Sequence, residues 1–338
     1  MSDLTSPIAR LEASLSTKIG SSFDIDEIPD VVDLLLREKR SPNTRQEYKK
    51  DINKFFQALA NEQPNRDLVW EFLHLEQQKA VQLVLNYKAQ LIEKGLAEAT
   101  VNRRLAAIKA LTAQGRKIGV CNFTLEDVKR EKTKPYRDTS GVDKDAFILV
   151  LSIPDALRDT IYSQRSQIKA VRDYALLRLL WGNALRRGEI SQTNISDFDA
   201  HKQTLSILGK GQGSQKQIIS LSSQTTIAIS EWLVARGKAA PESPLFTAVD
   251  NAHCGQRLRG NGIYNIVDQL CKKAGISKKM SPHRIRHGSI TAALDATDGN
   301  IRKVQKLSRH KDINTVMIYD DNRTNYQGEI TQLLDDLI

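Results

Sequence analysis

Cysteine is scarce in this chain of 338 residues, and long hydrophobic runs are absent. The three cysteines, Cys121, Cys254 and Cys271, are odd in number, far apart and without the Cys-x-x-Cys or Cys/His spacing of zinc ligands. They therefore argue against a disulfide framework and a structural zinc site, and they indicate a reducing compartment. No stretch approaches the roughly 18 consecutive apolar residues of a membrane-spanning helix, and the N-terminus lacks the segments of a secretory signal. We expect a cytoplasmic protein.

Acidic residues are fewer than basic residues over most of the chain. Lysine and arginine number 50 against 40 acidic residues, which gives a formal net charge of +10 and a pI near 9.4. Residues 1–30 hold six acids and two bases, and residues 321–338 hold four acids and one base, so the middle of the chain carries +17. A surplus of this size favours an anionic partner, and nucleic acid is the first candidate. We expect the protein to be associated with the nucleoid.

The chain is longer than one hydrophobic core usually organises, so two domains are expected. Residues 1–28 are polar and weakly periodic, which predicts a flexible acidic arm. Residues 29–127 repeat apolar side chains at intervals of three and four, which predicts an all-helical domain. One helix is expected to begin at Ser41-Pro42, because serine caps free amides and proline is tolerated in the first turn. Residues 128–143 are predicted to form a basic linker, and residues 144–338 a second domain.

Basic residues gather on the last helix of the first domain and in the linker. A basic helix next to another DNA-binding domain can lie against a groove, and extended basic chain can follow a phosphate backbone. The alternatives are a solvated helix face and a flexible tether with solubilising charge. The candidate DNA-binding residues are Arg103, Arg104, Lys109, Lys129, Arg130, Lys132, Lys134 and Arg137.

The second domain has helical periodicity that is interrupted between Ile195 and Leu221. There, short β-compatible runs alternate with Gly-rich turns, which predicts a small antiparallel sheet. The fold class expected from the sequence is therefore mainly α with a small antiparallel sheet, and the second domain is mixed α/β.

Two short motifs supply side chains that suit a phosphodiester. Arg186 lies in an Arg-x-x-Glu box that ends at Glu189, and Arg286 lies in a His-x-x-Arg-His box that runs from His283 to His287. A guanidinium stays charged and offers paired donors, so both arginines fit the non-bridging oxygens of a phosphate. Glu189, one helical turn after Arg186, can brace its guanidinium. His283 can exchange protons with a nucleophile, because imidazole titrates near neutrality.

Two further segments offer a lysine and a phenol. Lys210 stands in Gly209-Lys210-Gly211, where glycines allow a tight turn at the end of a predicted strand. Tyr319 follows His310 by nine residues. A phenol suits reversible strand cleavage, because an aryl phosphodiester conserves bond energy for religation.

These segments, in this order, resemble the catalytic domain of tyrosine recombinases, the family of phage integrases and of the Xer and Cre recombinases. The resemblance implies an N-terminal core-binding (SAM-like) domain and a catalytic domain that form a C-shaped clamp on double-stranded DNA. It also implies the catalytic set, with Glu189 and His287 in support, and no metal or other cofactor. That set is Arg186, Lys210, His283, Arg286, His310 and Tyr319.

In the resembled family, each catalytic residue has a defined part. The tyrosine forms a 3′-phosphotyrosyl link, the turn lysine protonates the leaving 5′ oxygen, and the histidine of the Leu-Gly-His motif binds a phosphate oxygen. Strands are exchanged through a Holliday junction. An inverted-repeat site and a homotetramer, or a heterotetramer with a paralogous recombinase, are implied as well. The apolar positions of residues 326–338 suit either docking on a neighbouring protomer or packing on their own domain.

The chain departs from the family pattern at several points. Leu-Gly-His becomes Ser308-Arg309-His310, and the lysine turn is long enough to make Lys216 a rival of Lys210. Tyr326 is the nearest rival of Tyr319. Three other interpretations stay open, namely a zinc site at His283, His287 and His310, a type IB topoisomerase, and a DNA-binding regulator without catalysis.

Overall fold

A computed structural model describes residues 30–133, 141–158, 163–209, 215–323 and 326–337. The acidic arm predicted for residues 1–28 lies outside these ranges. The chain divides into two compact units, residues 1–135 and 136–338. Among the described helices, none has both the length and the apolar composition to cross a membrane.

The first unit is built from helices. Its described elements are α1 (Val31–Glu38), α2 (Pro42–Ala60), α3 (Arg66–Leu73), α4 (Gln77–Glu93) and α5 (Glu98–Lys117). The predicted helix start at Ser41 is confirmed, since the Ser41 hydroxyl accepts from the amide of Thr44 and Pro42 occupies the first turn.

Aromatic side chains form the centre of the first unit. Phe55 makes edge-to-face contacts with Phe56, Phe72 and Tyr87 at ring-centroid distances of 5.1–5.2 Å. Phe123, which follows α5, packs edge-on against Phe72. All five rings are almost completely buried, so α2, α3 and α4 share one core with the chain that leaves α5.

The second unit is mainly helical. Its elements are α6 (Lys144–Arg158), α7 (Gln164–Gly182), α8 (Arg187–Ser191), β1 (Phe198–Asp199), β2 (Thr204–Leu208), β3 (Lys216–Ser220), α9 (Ser223–Arg236), α10 (Gly260–Lys273), α11 (Pro282–Asp295), α12 (Ile301–Ser308), α13 (Asn314–Arg323) and α14 (Tyr326–Asp335). The strands form one antiparallel sheet in the order β1-β2-β3. The predicted fold class, mainly α with a small antiparallel sheet, is confirmed.

Helix α7 occupies the middle of the second unit. It packs against α6, α9 and α11, and its residues from Ala175 to Leu180 are buried except for Arg178. Its C-terminal end continues into Asn183 and Ala184, which lead directly to Arg186. The buried centre of the unit therefore positions the Arg-x-x-Glu motif.

Two glycines allow the start of the second unit to cross α11. A methyl group added at Gly141 would overlap the amide of Gly288, and one added at Gly288 would overlap the carbonyl oxygen of Val142. Gly288 directly follows the His-x-x-Arg-His box, so this close approach fixes the backbone of α11 beside the candidate site.

Gly288→Ala is expected to lower the free energy of unfolding by about 1–3 kcal/mol, because the new methyl group collides with backbone that cannot move aside cheaply. Urea unfolding followed by circular dichroism measures the change. The matched control is Gly188→Ala in α8, where an added methyl group meets nothing within 4 Å and helix propensity improves. Equal stabilities of the two variants would contradict the crossing as described.

Candidate active site

Two hydrogen bonds join Arg186 and Glu189 at the start of α8. The backbone amide of Arg186 donates to Glu189 Oε2 at 2.9 Å, and its guanidinium donates to Glu189 Oε1 at 2.7 Å. The Glu189 side chain is only 3% exposed, whereas that of Arg186 is 28% exposed. One carboxylate therefore fixes both the backbone and the guanidinium of Arg186, and the arginine keeps access to solvent.

Arg286 is completely buried. Its Nη1 donates to the carbonyl of Ala184, and its Nη2 donates to the carbonyl of Ser308 at 2.5 Å and to His310 Nε2 at 3.0 Å. Burial, together with the charges of Arg186 and Arg309, lowers the pKa of Arg286 to about 9. The guanidinium is still charged at neutral pH, and it ties α11 to the end of α7 and to the end of α12.

His310 is held as a neutral imidazole. Burial first, and then the neighbouring Arg286, lowers its pKa to about 3. Because Nε2 accepts from Arg286, the hydrogen-bond network assigns the ring proton to Nδ1. Within the described part of the chain, Nδ1 is buried and has no hydrogen-bond partner. The candidate site therefore contains a buried donor whose hydrogen-bonding capacity is not met by the described residues.

Tyr319 lies among the histidines of the two motifs. Its side chain is in the small core cluster that also contains Ala184, Ile290 and Val316, and the residue is 5% exposed. Its ring meets His287 edge-on at a centroid distance of 5.1 Å and stacks on His310 at 6.0 Å. The phenol is thus buried at the edge of this apolar cluster, beside the histidines of the two motifs.

His283 and His287 share a hydrogen bond. Their Nε2 atoms are 2.8 Å apart, so one ring must donate and the other accept. His287 also contacts the ring of Tyr319. His287 therefore contacts both the Tyr319 ring and His283.

Arg309 joins the site although the sequence motifs did not predict it. Its Nη2 donates to Glu189 Oε2 at 3.2 Å, and its guanidinium also donates to the carbonyls of Asn183, Ala184 and Leu307. Burial alone would raise the pKa of Glu189, but Arg309 and then Arg186 hold it below its ordinary value. The only sequence signal for Arg309 was that it stands where the family's Leu-Gly-His motif has glycine.

The two candidate lysines have different positions. Lys210 lies outside the described residues. Lys216 begins β3, pairs in register with Leu208 and makes an ion pair with the nearly buried carboxylate of Asp197 at 2.5 Å. Lys216 would have to leave this partner to reach a phosphate.

Three DNA-binding candidates on α5 have partners within the first unit. Arg103 makes ion pairs with Glu47 and with the buried Asp51, and Arg104 Nε lies 4.0 Å from Asp51. Lys109 Nζ donates to the carbonyl of Val128 at 2.7 Å. These contacts hold α5 against α2 and against the following chain.

The predicted linker of residues 128–143 begins with a stretch that packs on the first unit. Val128 is buried, and Asn102 makes two hydrogen bonds with the backbone of Glu131, at 2.8 and 2.9 Å. The candidates Lys129, Arg130 and Lys132 are exposed there, and Lys134 and Arg137 lie outside the described residues.

The zinc interpretation finds no support in the arrangement of the histidines. Among the described residues, no group of three or more His, Cys, Asp or Glu side chains is placed to hold a metal ion. The donor set explains why, since Arg286 occupies the lone pair of His310 Nε2 and its positive charge would repel a dication.

Comparison with known families assigns both units. Residues 154–325 match the model of the phage integrase family, and residues 31–115 match the phage integrase N-terminal SAM-like domain. The chain is 47% identical over 311 residues to the protein named tyrosine recombinase slr0733 of Synechocystis sp., covering 91% of this chain and 96% of that protein. It is 46% identical to tyrosine recombinase Synpcc7942_B2651 of Synechococcus elongatus, covering 91% and 94%.

A solved structure has the same fold. The Tn1549 transposon integrase in complex with transposon right end DNA aligns with a TM-score of 0.59 at 17% identity, covering 90% of this chain and 99% of that one.

The neutral state of His310 predicts a pH dependence of stability. The pKa is about 3 in the fold and near 6.5 in the unfolded chain, so the unfolded chain binds more protons as the pH falls below 6.5. The neutral His310 therefore makes its full contribution to the free energy of unfolding above pH 6.5, and this contribution is lost as the pH falls toward 3. At pH 5 the loss is about 2 kcal/mol.

Unfolding in urea at pH 7.5 and pH 5 tests this, with His310→Gln as the comparison. We expect the wild type to lose about 2 kcal/mol more than the variant over this interval, because glutamine does not titrate. The same loss in both proteins would contradict the assignment, as would an NMR titration of the His310 ring with a midpoint near pH 6.5.

Proposed function

Because the chain belongs to the phage integrase family and is a tyrosine recombinase, an enzyme of site-specific recombination, we propose that Tyr319 cleaves duplex DNA through a 3′-phosphotyrosyl intermediate. The observation that supports this is the placement of the phenol beside His287 and His310, with Arg286 bonded to His310. A nucleophile, phosphate-binding guanidiniums and proton-transfer groups then share one small volume.

The cleavage step balances with the groups of this chain. The Tyr319 oxygen attacks the phosphorus, a P–O(Tyr) bond forms, and the bond to the 5′ oxygen breaks. The phenolic proton passes to the His283–His287 pair, and Lys210 gives a proton to the leaving oxygen. Religation is the reverse reaction on the partner strand, so the bond energy is conserved without ATP.

Arg186, Arg286 and His310 have the remaining task of stabilising charge. When a phenolate adds to a phosphodiester, the two negative charges gather on the non-bridging oxygens. Arg186 retains partial exposure for this contact, and the orphan Nδ1–H of His310 needs an acceptor that a phosphate oxygen would provide. Both Arg286 and the Nδ1 atom of His310 are buried, so we propose that DNA binding exposes them to the scissile phosphate.

We further propose that two such enzymes act on each of two duplexes and exchange strands through a Holliday junction. The net charge of +10 favours DNA as the partner, and the Tn1549 integrase was solved with DNA bound. Helix α14 keeps Ile330, Leu333, Leu334 and the adjoining Leu337 exposed, as docking on a second protomer would require. An inverted-repeat site, a homotetramer or a heterotetramer with a paralogous recombinase, and action at the nucleoid are the corresponding expectations.

The naming of the relatives as recombinases favours this activity over relaxation by a type IB topoisomerase and over a silent regulator. Whether the exchange serves chromosome resolution, phage integration or transposon movement depends on the DNA site.

Tyr319→Phe is expected to abolish the covalent protein–DNA adduct on a nicked suicide substrate, because phenylalanine keeps the packing but has no nucleophilic oxygen. Denaturing gels of the reaction measure the adduct. Tyr326→Phe serves as the control and should form the adduct at the wild-type level. An adduct that persists in Tyr319→Phe and vanishes in Tyr326→Phe would transfer the role to Tyr326.

Lys210→Ala is expected to slow cleavage by about 100-fold, because the 5′ oxygen then leaves without a proton donor. A 5′-phosphorothiolate substrate should restore most of the rate, since a thiolate leaves readily without protonation. Lys216→Ala, which breaks the ion pair with Asp197, should change the rate by less than about three-fold on either substrate. The opposite pattern would make Lys216 the general acid.

A further inference from the structure

We propose that Arg309 is a positioning residue of this active site, one that offsets the charge of Glu189 and so leaves Arg186 available for the scissile phosphate. The inference rests on the proposed cleavage chemistry and adds a residue to it. The main observation is that Glu189 has two guanidinium partners rather than one.

The backbone of Arg309 is in a conformation that an arginine rarely adopts. It ends α12 with φ 57° and ψ 33°, the left-handed region in which glycine is strongly favoured. A side chain other than that of glycine costs about 1 kcal/mol there. The side-chain contacts of Arg309 must therefore stabilise the fold by at least the free energy that its backbone conformation costs.

Those contacts are buried and directed toward the catalytic residues. The side chain of Arg309 is 8% exposed, and it donates to Glu189 Oε2 and to the carbonyl of Ala184. The same carbonyl accepts from Arg286, and the other oxygen of Glu189 accepts from Arg186. Arg309 thus shares an acceptor residue with each of the two proposed phosphate-binding arginines, Ala184 with Arg286 and Glu189 with Arg186.

The charge count explains what the extra arginine contributes. Without Arg309, Glu189 neutralises one of the two catalytic guanidiniums, which leaves a single positive charge in the group. With Arg309 the hydrogen-bonded group carries three guanidiniums and one carboxylate, a net of two positive charges. The neutral His310 adds none.

Two positive charges match the transition state better than the ground state. A phosphodiester carries one negative charge, and the pentavalent species formed with a phenolate carries two. An interaction that strengthens only as the second charge develops raises the rate of the chemical step more than it raises the affinity for DNA. Arg309 should therefore affect cleavage at saturating DNA rather than binding.

The test measures the rate of adduct formation at saturating suicide substrate, together with the dissociation constant for the same DNA. For Arg309→Gly we expect a rate about 10- to 100-fold lower, with less than about a three-fold change in the dissociation constant. Glycine accepts the left-handed backbone, so loss of the fold is not expected. Arg302→Gln, which removes the same charge from an exposed position on α12, is the matched control and should cleave at the wild-type rate.

Two further experiments distinguish an effect of the Arg309 charge from an effect on the structure of the site. Glu189→Gln removes the carboxylate that Arg309 offsets, so Arg309→Gly should slow cleavage several-fold less in the Glu189→Gln background than in the wild type. A substrate with a methylphosphonate at the scissile position carries one negative charge fewer, so the deficit of Arg309→Gly should shrink on it. Arg309→Lys, which keeps the charge, should lie between the wild type and Arg309→Gly.

The outcomes are distinguishable. A wild-type rate for Arg309→Gly overturns the inference, because charge at this position is then irrelevant. So does a deficit of Arg309→Gly that is as large in the Glu189→Gln background as in the wild type, because Arg309 would then not act by offsetting Glu189. An equal deficit on phosphate and methylphosphonate substrates would reduce Arg309 to a structural role. If instead the wild type forms no adduct with any suicide substrate, the proposed function fails, independently of Arg309.

Discussion

The candidate active site depends on the hydrogen bonds of the buried Arg286 guanidinium. It has no solvent contact, yet its hydrogen bonds reach two separate segments: the turn after α7 at Ala184, and the end of α12 at Ser308 and His310. A charge removed from water is tolerated only when such partners replace its hydration. The same bonds that make the burial tolerable also bring α11, α12 and the Arg186 turn together.

This arrangement leaves the site with unbalanced positive charge. Among the residues that the structure describes, Glu189 is the one anionic partner in the hydrogen-bonded group of Arg186, Arg286 and Arg309. Repulsion among the guanidiniums contributes to lowering the pKa of Arg286. A phosphate is the counterion that such a group lacks. Binding energy gained by supplying that counterion is available where charge develops in the transition state, which is the condition for catalysis by preorganisation.

Local sequence signals predicted a large part of the fold. Ser41 caps α2 as its Ser-Pro pair indicated, and the β-compatible runs between Ile195 and Leu221 form the small sheet. These features depend on neighbours within a few residues, so a single sequence contains them. The motif residues Arg186, Arg286, His310 and Tyr319 could be grouped only through resemblance to a family, because nothing local records that segments a hundred residues apart meet.

Other features were beyond prediction because they are pairings between distant positions. Arg103 and Lys109 looked like a basic surface, but their charges are directed at Asp51 and at the carbonyl of Val128, and only tertiary packing decides that. The contact of Gly141 with Gly288 is likewise invisible in composition. Arg309 was visible merely as an unexpected residue before His310, with no indication of where its guanidinium would lie.

The two left-handed residues at the site show how the strain is held in place. Ala184, with φ 45°, and Arg309, with φ 57°, are both non-glycine residues in a region that costs roughly 1 kcal/mol or more each. The carbonyl of Ala184 accepts from Arg286 and from Arg309, so the strained turn is also the acceptor that two buried guanidiniums require. Neither residue could relax to an ordinary conformation without leaving a buried cation short of a partner. The strain and the charge burial therefore stabilise one arrangement jointly, and that arrangement presents Arg186 to solvent while holding Arg286 against His310.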